Sequence, residues 1–191
     1  MPRWIATFLI AVLAASTAPS TSDAEPREWR IDQAQSALAI VYLIDGREQR
    51  GGFARYSGEA RFDPDDLSTA ELELTIETDS FDAGEAFANA VVRSVDWLHV
   101  DGHPQARYVL KSLEPLGGER YRATGELTMR GATGVVVGEM TLSISETAAQ
   151  ATGAVDFNRK EYGVGVGFTT LFVEVGAVVA VDFDLTAKPK E

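Results

Sequence analysis

The sequence contains no cysteine and two histidines. The lack of cysteine excludes disulfides, thiol nucleophiles, cysteine-ligated zinc, iron–sulfur clusters and a lipidated N-terminal cysteine. Positive charge is scarce as well: 17 Lys and Arg face 29 Asp and Glu, for a formal charge of −12. Nucleic acid is therefore excluded as a partner, because a duplex-binding surface needs clustered Lys and Arg against phosphate. No apolar run reaches the ~20 residues that cross a bilayer as a helix. What is present is of average kind. The 191 residues are 45% hydrophobic and 24% charged, which suits one acidic globular domain with an ordinary core and not a disordered chain.

The first residues stand apart from that domain. Met1-Pro2-Arg3 precedes an apolar run from Trp4 to Ala15 and then the small-residue stretch Ser16–Ala24. A basic start, an apolar centre and small residues at a cleavage site are the three parts of a secretory signal. Ser22-x-Ala24 places small residues at −3 and −1, with Glu25 opening the mature chain; after the alternative Ser16-x-Ala18 the cut would fall unfavourably before Pro19. Residues 1–24 thus read as a leader, with a short membrane anchor as the competing reading. Loss of Arg3 and Asp23 leaves the net charge unchanged, so the mature protein stays acidic and is expected in the periplasm or outside the cell.

From residue 29 onward the pattern is that of strands. Leu72, Leu74 and Ile76 alternate with Glu71, Glu73, Thr75 and Glu77, the period-two signature of a strand with one face buried and one in water. Alternation recurs over Arg120–Met129, Gly138–Ser145 and Val175–Leu185, and less regular strands are expected at Ala37–Ile44, Phe53–Phe62, Ala106–Lys111 and Ala149–Phe157. Asp63-Pro64-Asp65-Asp66 suits a type I turn, and Leu116–Glu119 and Arg130–Gly134 supply two further turns. Gly84–Val95 reads as one short amphipathic helix with Phe87, Val91 and Val95 on its apolar face. Strands of this kind at hairpin spacing form an antiparallel sheet, closed into a barrel or folded as a sandwich.

Chemistry-bearing motifs are few. His99 and His103 have a spacing that suits two metal ligands on a helix, but Gly102 and Pro104 favour a loop and a third ligand is missing. No G-x-S-x-G supports a Ser–His–Asp arrangement. Gly163-Val164-Gly165-Val166-Gly167 lacks the spacing of a dinucleotide-binding loop, and the β-forming segment Phe168–Phe172 follows where a helix should begin. Asp63-x-Asp65-Asp66 lacks the glycine and distal Glu of a calcium loop. No catalytic residue and no metal site is assigned.

An ordered series of segments carries more information than any one of them. Trp29-x-Ile31-Asp32 with Ser36, Gly52-Phe53-x-x-Tyr56-x-Gly58, Phe62-Asp63-Pro64 and Ile76-x-Thr78-x-Ser80-Phe81-x-x-Gly84 resemble the first half of the YceI-like lipid-binding family. Asp96-Trp97-Leu98, His103-Pro104-x-Ala106-x-Tyr108, Gly125-x-Leu127-Thr128-Met129-Arg130-Gly131-Ala132-Thr133 and Phe157-Asn158-Arg159-Lys160-Glu161-Tyr162-Gly163-Val164-Gly165 are similar to its second half. The resemblance spans residues 28–187. It implies an all-β fold, an extended lipocalin-like antiparallel barrel of about eight strands with one short α-helix. It further implies an apolar interior holding a polyisoprenoid, a quinone tail or a related lipid, no catalytic activity, and no cofactor beyond such a ligand. Stable membrane insertion after leader removal is not expected, and a homodimer stays open. Two segments depart from the family pattern: Glu85–Ala90 replaces a charged pair on the helix, and the charged stretch Ile44–Arg50 reads as a loop that shapes the mouth.

Within such a barrel the inward rows become the expected ligand-binding residues. They are Leu72, Leu74 and Ile76; Tyr108 and Leu110; Leu127; Met140 and Leu142; Val155 and Phe157; and Val179, Val181 and Phe183. Alternation does not distinguish a hollow barrel from a filled one. Three functions follow: a periplasmic carrier or sequestering protein for an amphiphile, an enzyme acting on an amphiphile at the mouth with His99 or His103, and a filled, ligand-free stress-related interaction module.

Overall fold

The computed structural model describes residues 26–171 and 174–190; the leader reading of residues 1–24 and the expected strand residue Phe172 lie outside them. Twelve regular elements follow in order: β1 (Arg27–Ile31), β2 (Ala37–Ile44), β3 (Arg47–Phe53), β4 (Tyr56–Asp63), β5 (Asp66–Glu77), β6 (Phe81–Asp82), α1 (Ala86–Arg93), β7 (Gln105–Gly117), β8 (Arg120–Met129), β9 (Ala132–Ile144), β10 (Ala149–Asn158) and β11 (Val178–Pro189). The strands form one antiparallel sheet in the order β1-β4-β5-β7-β8-β9-β10-β11-β2-β3-β6, and β1 also pairs with β11. That last pairing closes a ring of eight strands, which removes the unpaired edges of an open sheet.

β1 and β2 share one edge of β11: Trp29 to Ile31 lie opposite Pro189 to Ala187, and Ala37 to Val41 opposite Asp184 to Ala180. The break between them is fixed by side chains. Asp32 accepts from the Ala34 N–H and opens a 3-10 turn, and its own N–H donates to the Thr186 carbonyl at 2.8 Å. The Ser36 hydroxyl donates to the Asp32 carbonyl and accepts from the Thr186 N–H at 2.9 Å. Beyond this kink β2 leads away from β4 and carries β3 and β6 with it, so the barrel wall is extended at that end.

That end is also covered. α1, residues 94–104 and the 3-10 turn Arg159–Tyr162 lie over it, and Trp97, Leu98, Tyr162 and Val164 form the buried cluster beneath, with Phe81, Ala106 and Met129. The opposite end carries the short turns after β4, β7 and β9 and a second cluster of Trp29, Phe62, Ala149 and Ala187. Trp29 is fully buried and stacks on Phe62 with centroids 5.1 Å apart. Its indole N–H meets no acceptor, so this residue contributes buried area and not a hydrogen bond.

Several local expectations are corrected. The single strand expected over Phe53–Phe62 is broken at residues 54 and 55, where the chain passes from β3 to β4. The charged stretch Ile44–Arg50 is no mouth loop but a hairpin. Asp45 and Gly46 both have positive φ, as a two-residue type I′ turn requires, and Arg47 pairs with Ile44. β3 is polar on both faces, so alternation could not reveal it. The turn at Arg130–Gly134 is likewise tighter than expected: Arg130 and Gly131 alone make it, and β9 begins at Ala132. Phe168–Leu171 forms a 3-10 turn and not a strand. The helix turns inward a face that shares only Val91 with the one its spacing indicated. Val91 and Val92 pack on the core, while Phe87 is 82% and Val95 62% exposed.

Candidate ligand-binding interior

The inward rows do not fill the barrel. They surround a cavity of about 200 Å³ that reaches from Phe62, Leu67 and Ala149 at the turn end to Phe53, Ala106 and Met129 beneath the cap. Its walls carry Leu72, Leu74 and Ile76 of β5, Tyr108 and Leu110 of β7, Leu127 of β8, Met140 and Leu142 of β9, Val155 and Phe157 of β10, and Val181 and Phe183 of β11. Val179 lies one layer nearer the cap and lines a second cavity of about 100 Å³ with Trp97, Leu98 and Val164. The two cavities share Ile40, Phe53, Met129 and Phe157, so they adjoin across these side chains and together form an apolar tract along the barrel axis. From Ala149 to Phe157 along a tilted β10 this is roughly 20 Å.

Alternation located the rows, but it missed part of the wall. Leu38 and Ile40 of β2, Val136 of β9 and Leu185 of β11 also line the larger cavity. The signal was present in β2, where apolar residues run on both faces and hide the alternation. Val136 faces inward between Val135 and Val137, which are 68% and 50% exposed, and a run of three valines leaves the inward one unreadable.

The cap is held by two arginines whose donors go to main-chain carbonyls. Arg159 is buried; its Nε donates to Gly176 at 2.8 Å, Nη1 to Val164 and Gly165 at 2.6 and 2.8 Å, and Nη2 to Val175 at 2.7 Å. The guanidinium also lies 5.1 Å from the Trp97 ring centroid, a cation–π distance. Burial lowers its pKa, and with four carbonyls already on the fork it is a structural clasp and not a site for an anionic head group. Arg130, at the β8–β9 turn, donates through Nη1 to the carbonyls of Trp97 and Gly163. Nothing in residue type or spacing singled out Arg159, because its partners come from main chain on two sides of the cap.

The histidines stand apart from the tract. His99 has φ of 51°, and its ring meets His103 edge-on with centroids 5.3 Å apart. Neither lines either cavity. Among the described residues no cluster of His, Asp and Glu could hold a metal ion, and no helix is long and apolar enough to cross a membrane. Asp63 accepts from the Asp65 N–H at 2.9 Å, as its turn requires.

An eight-stranded antiparallel barrel around one apolar tract defines a class of hollow β-barrels with room for a chain-like guest. Comparison with known proteins places the chain within that class. The profile of the YceI-like domain matches residues 29–187, and the chain belongs to the YceI-like family. It is 29% identical over 183 residues to the UPF0312 protein of Shewanella sp. (strain MR-7), which covers 92% of this chain and 93% of that one. Among solved structures it is similar to BcnA of Burkholderia cenocepacia, with 28% identity and a TM-score of 0.75 over 82% of this chain and 98% of that one. A polyisoprenoid-binding domain from Saccharophagus degradans shares the fold at 20% identity, with a TM-score of 0.68 over 85% of this chain and 98% of that one.

Proposed function

We propose that this protein binds a long-chain amphiphile, a polyisoprenoid, a quinone tail or a related lipid, and carries or sequesters it in the barrel interior. The observation that carries this reading is the apolar tract itself, lined on every wall by inward rows. Each methylene transferred from water contributes ~0.8 kcal/mol, so on the order of ten buried methylenes offset a typical cost of association. The polyisoprenoid-binding description of the Saccharophagus degradans domain supports the same guest, and a hollow interior speaks against the filled interaction module. The role is one of binding and not catalysis, since both histidines lie outside the cavity walls. In this reading residues 1–24 direct export and are removed, and the acidic barrel works in the periplasm or outside the cell.

Organic extraction of protein purified from its native compartment, followed by mass spectrometry, is expected to yield a stoichiometric lipid. The variant Ala123→Phe, which fills the cavity from β8, is expected to fold and to lose that lipid. Extracts without lipid, together with no binding of added isoprenoids, would overturn the proposal.

A further inference from the structure

The larger cavity is apolar except at one point. Apart from Glu71, which lies on the outward, exposed row of β5, Tyr108 carries the polar side-chain group among the described residues around the larger cavity. Tyr108 stands on β7 between Leu74 of β5 and Leu127 of β8, and its ring leans onto Gly125. A methyl group at position 125 would come within 2.3 Å of Tyr108 Cζ and 2.4 Å of its hydroxyl oxygen, so the missing side chain is what lets the phenol lie against β8. Gly125 pairs with Leu110, two residues further along β7, which carries the hydroxyl away from the cap into the middle of the tract.

There the hydroxyl makes no hydrogen bond within the protein, among the described residues. A buried hydroxyl without a partner is unfavourable, and wherever it borders a guest space the guest can relieve it. Burial pushes the phenol up to about 12, so at neutral pH it is an uncharged O–H donor. The cavity lining holds no Lys, Arg or His, so a phosphate or carboxylate would lie at this depth without a countercharge.

We propose that Tyr108 is the polar anchor of the ligand site, donating its O–H to an uncharged oxygen acceptor of carbonyl or quinone type that the amphiphile brings inside the barrel. This rests on the ligand-holding function proposed above and narrows its class. The polar group of the guest enters the barrel, and charged head groups are selected against at that position. A plain hydrocarbon leaves the phenol unmet.

The test titrates purified, delipidated protein with a decyl-substituted benzoquinone and, separately, with decylbenzene, in the wild type and in Tyr108→Phe. The phenylalanine keeps the ring over Gly125 and removes the hydroxyl. Quinone affinity is expected to fall roughly 5- to 100-fold in the variant, with decylbenzene affinity unchanged. In the bound quinone the carbonyl stretching band is expected at lower frequency in the wild type than in the variant. Equal quinone affinity in both proteins, an equal loss for both probes, or an unmoved band would overturn the anchor and leave the ligand-holding function standing. A wild type that binds neither probe would overturn both.

Discussion

The barrel wall and the cap over one end of it are stabilised by different means. Along β7 to β10 each strand is followed by its hairpin partner, and every second side chain turns inward. The wall is therefore local in its pairing and periodic in its pattern. The cap has one short helix and several single turns, and its closing bonds run from two guanidinium groups to carbonyls on separate segments: Trp97 and Gly163 for Arg130, and Val164, Gly165, Val175 and Gly176 for Arg159. A wall of this kind distributes its stability over many equivalent ladder bonds and apolar contacts. The cap concentrates it in a few groups, so it is the part that single substitutions can open.

The largest break should come at the clasp. Arg159→Met removes the donors to four carbonyls and is expected to cost roughly 3–5 kcal/mol in urea unfolding. Hydrogen exchange should show the loss first at residues 96–98 and 160–165, with β8 to β10 still protected; uniform loss of protection would mean that cap and wall form one cooperative unit.

The wall has its own signature in alkali. The Tyr108 phenol titrates near its ordinary 10 when unfolded and at about 12 in the barrel. Between these values the unfolded chain releases a proton that the folded one keeps, so stability is full below pH 10 and falls as pH rises toward 12. The expected loss is roughly 2–3 kcal/mol, and Tyr108→Phe should flatten that slope.

A smaller break is expected at Gly163, which ends the Arg159–Tyr162 turn in the left-handed region with φ of 69°. An alanine there is strained by roughly 1–2 kcal/mol, and thermal unfolding of Gly163→Ala should report a loss of that size. The smallest effect belongs to the helix. Phe87→Ser is expected to change stability by no more than about 0.5 kcal/mol, because Phe87 faces solvent. A change of several kcal/mol would restore the helix face that its spacing indicated.

Legibility followed the same division. β2 and β8 were read with their observed ends, and β5, β10 and β11 within a few residues, since alternation is a local property of a half-buried strand. All thirteen residues expected to face the ligand line the tract, twelve around the larger cavity and Val179 around the smaller. What failed to show had no local signal. β3 is Arg-Glu-Gln-Arg-Gly-Gly-Phe, polar on both faces and strand-like because β2 lies beside it. The helix spacing of Phe87, Val91 and Val95 was real, but a helix of eight residues takes its orientation from what it covers. Val91 does face the core, but in place of Phe87 and Val95 it is joined by Val92, while the Asn89 carbonyl oxygen accepts from the Ala83 N–H and its amide donates to Asp82.

By itself the sequence determined the class of wall. Side chains on a strand alternate with period two, and so leucines against glutamates are enough to specify an antiparallel sheet with one greasy and one acidic face. The same residues would have filled a narrower barrel or closed a sandwich. Tertiary structure decided that the ring holds eight strands, that β1 leaves β11 at the Asp32–Ser36 kink, and that the inner face stays hollow. It also decided that the Arg159 guanidinium is spent on four carbonyls and that the Tyr108 hydroxyl meets none. These are properties of register and closure, which depend on where distant strands meet and not on any residue's neighbours in the chain.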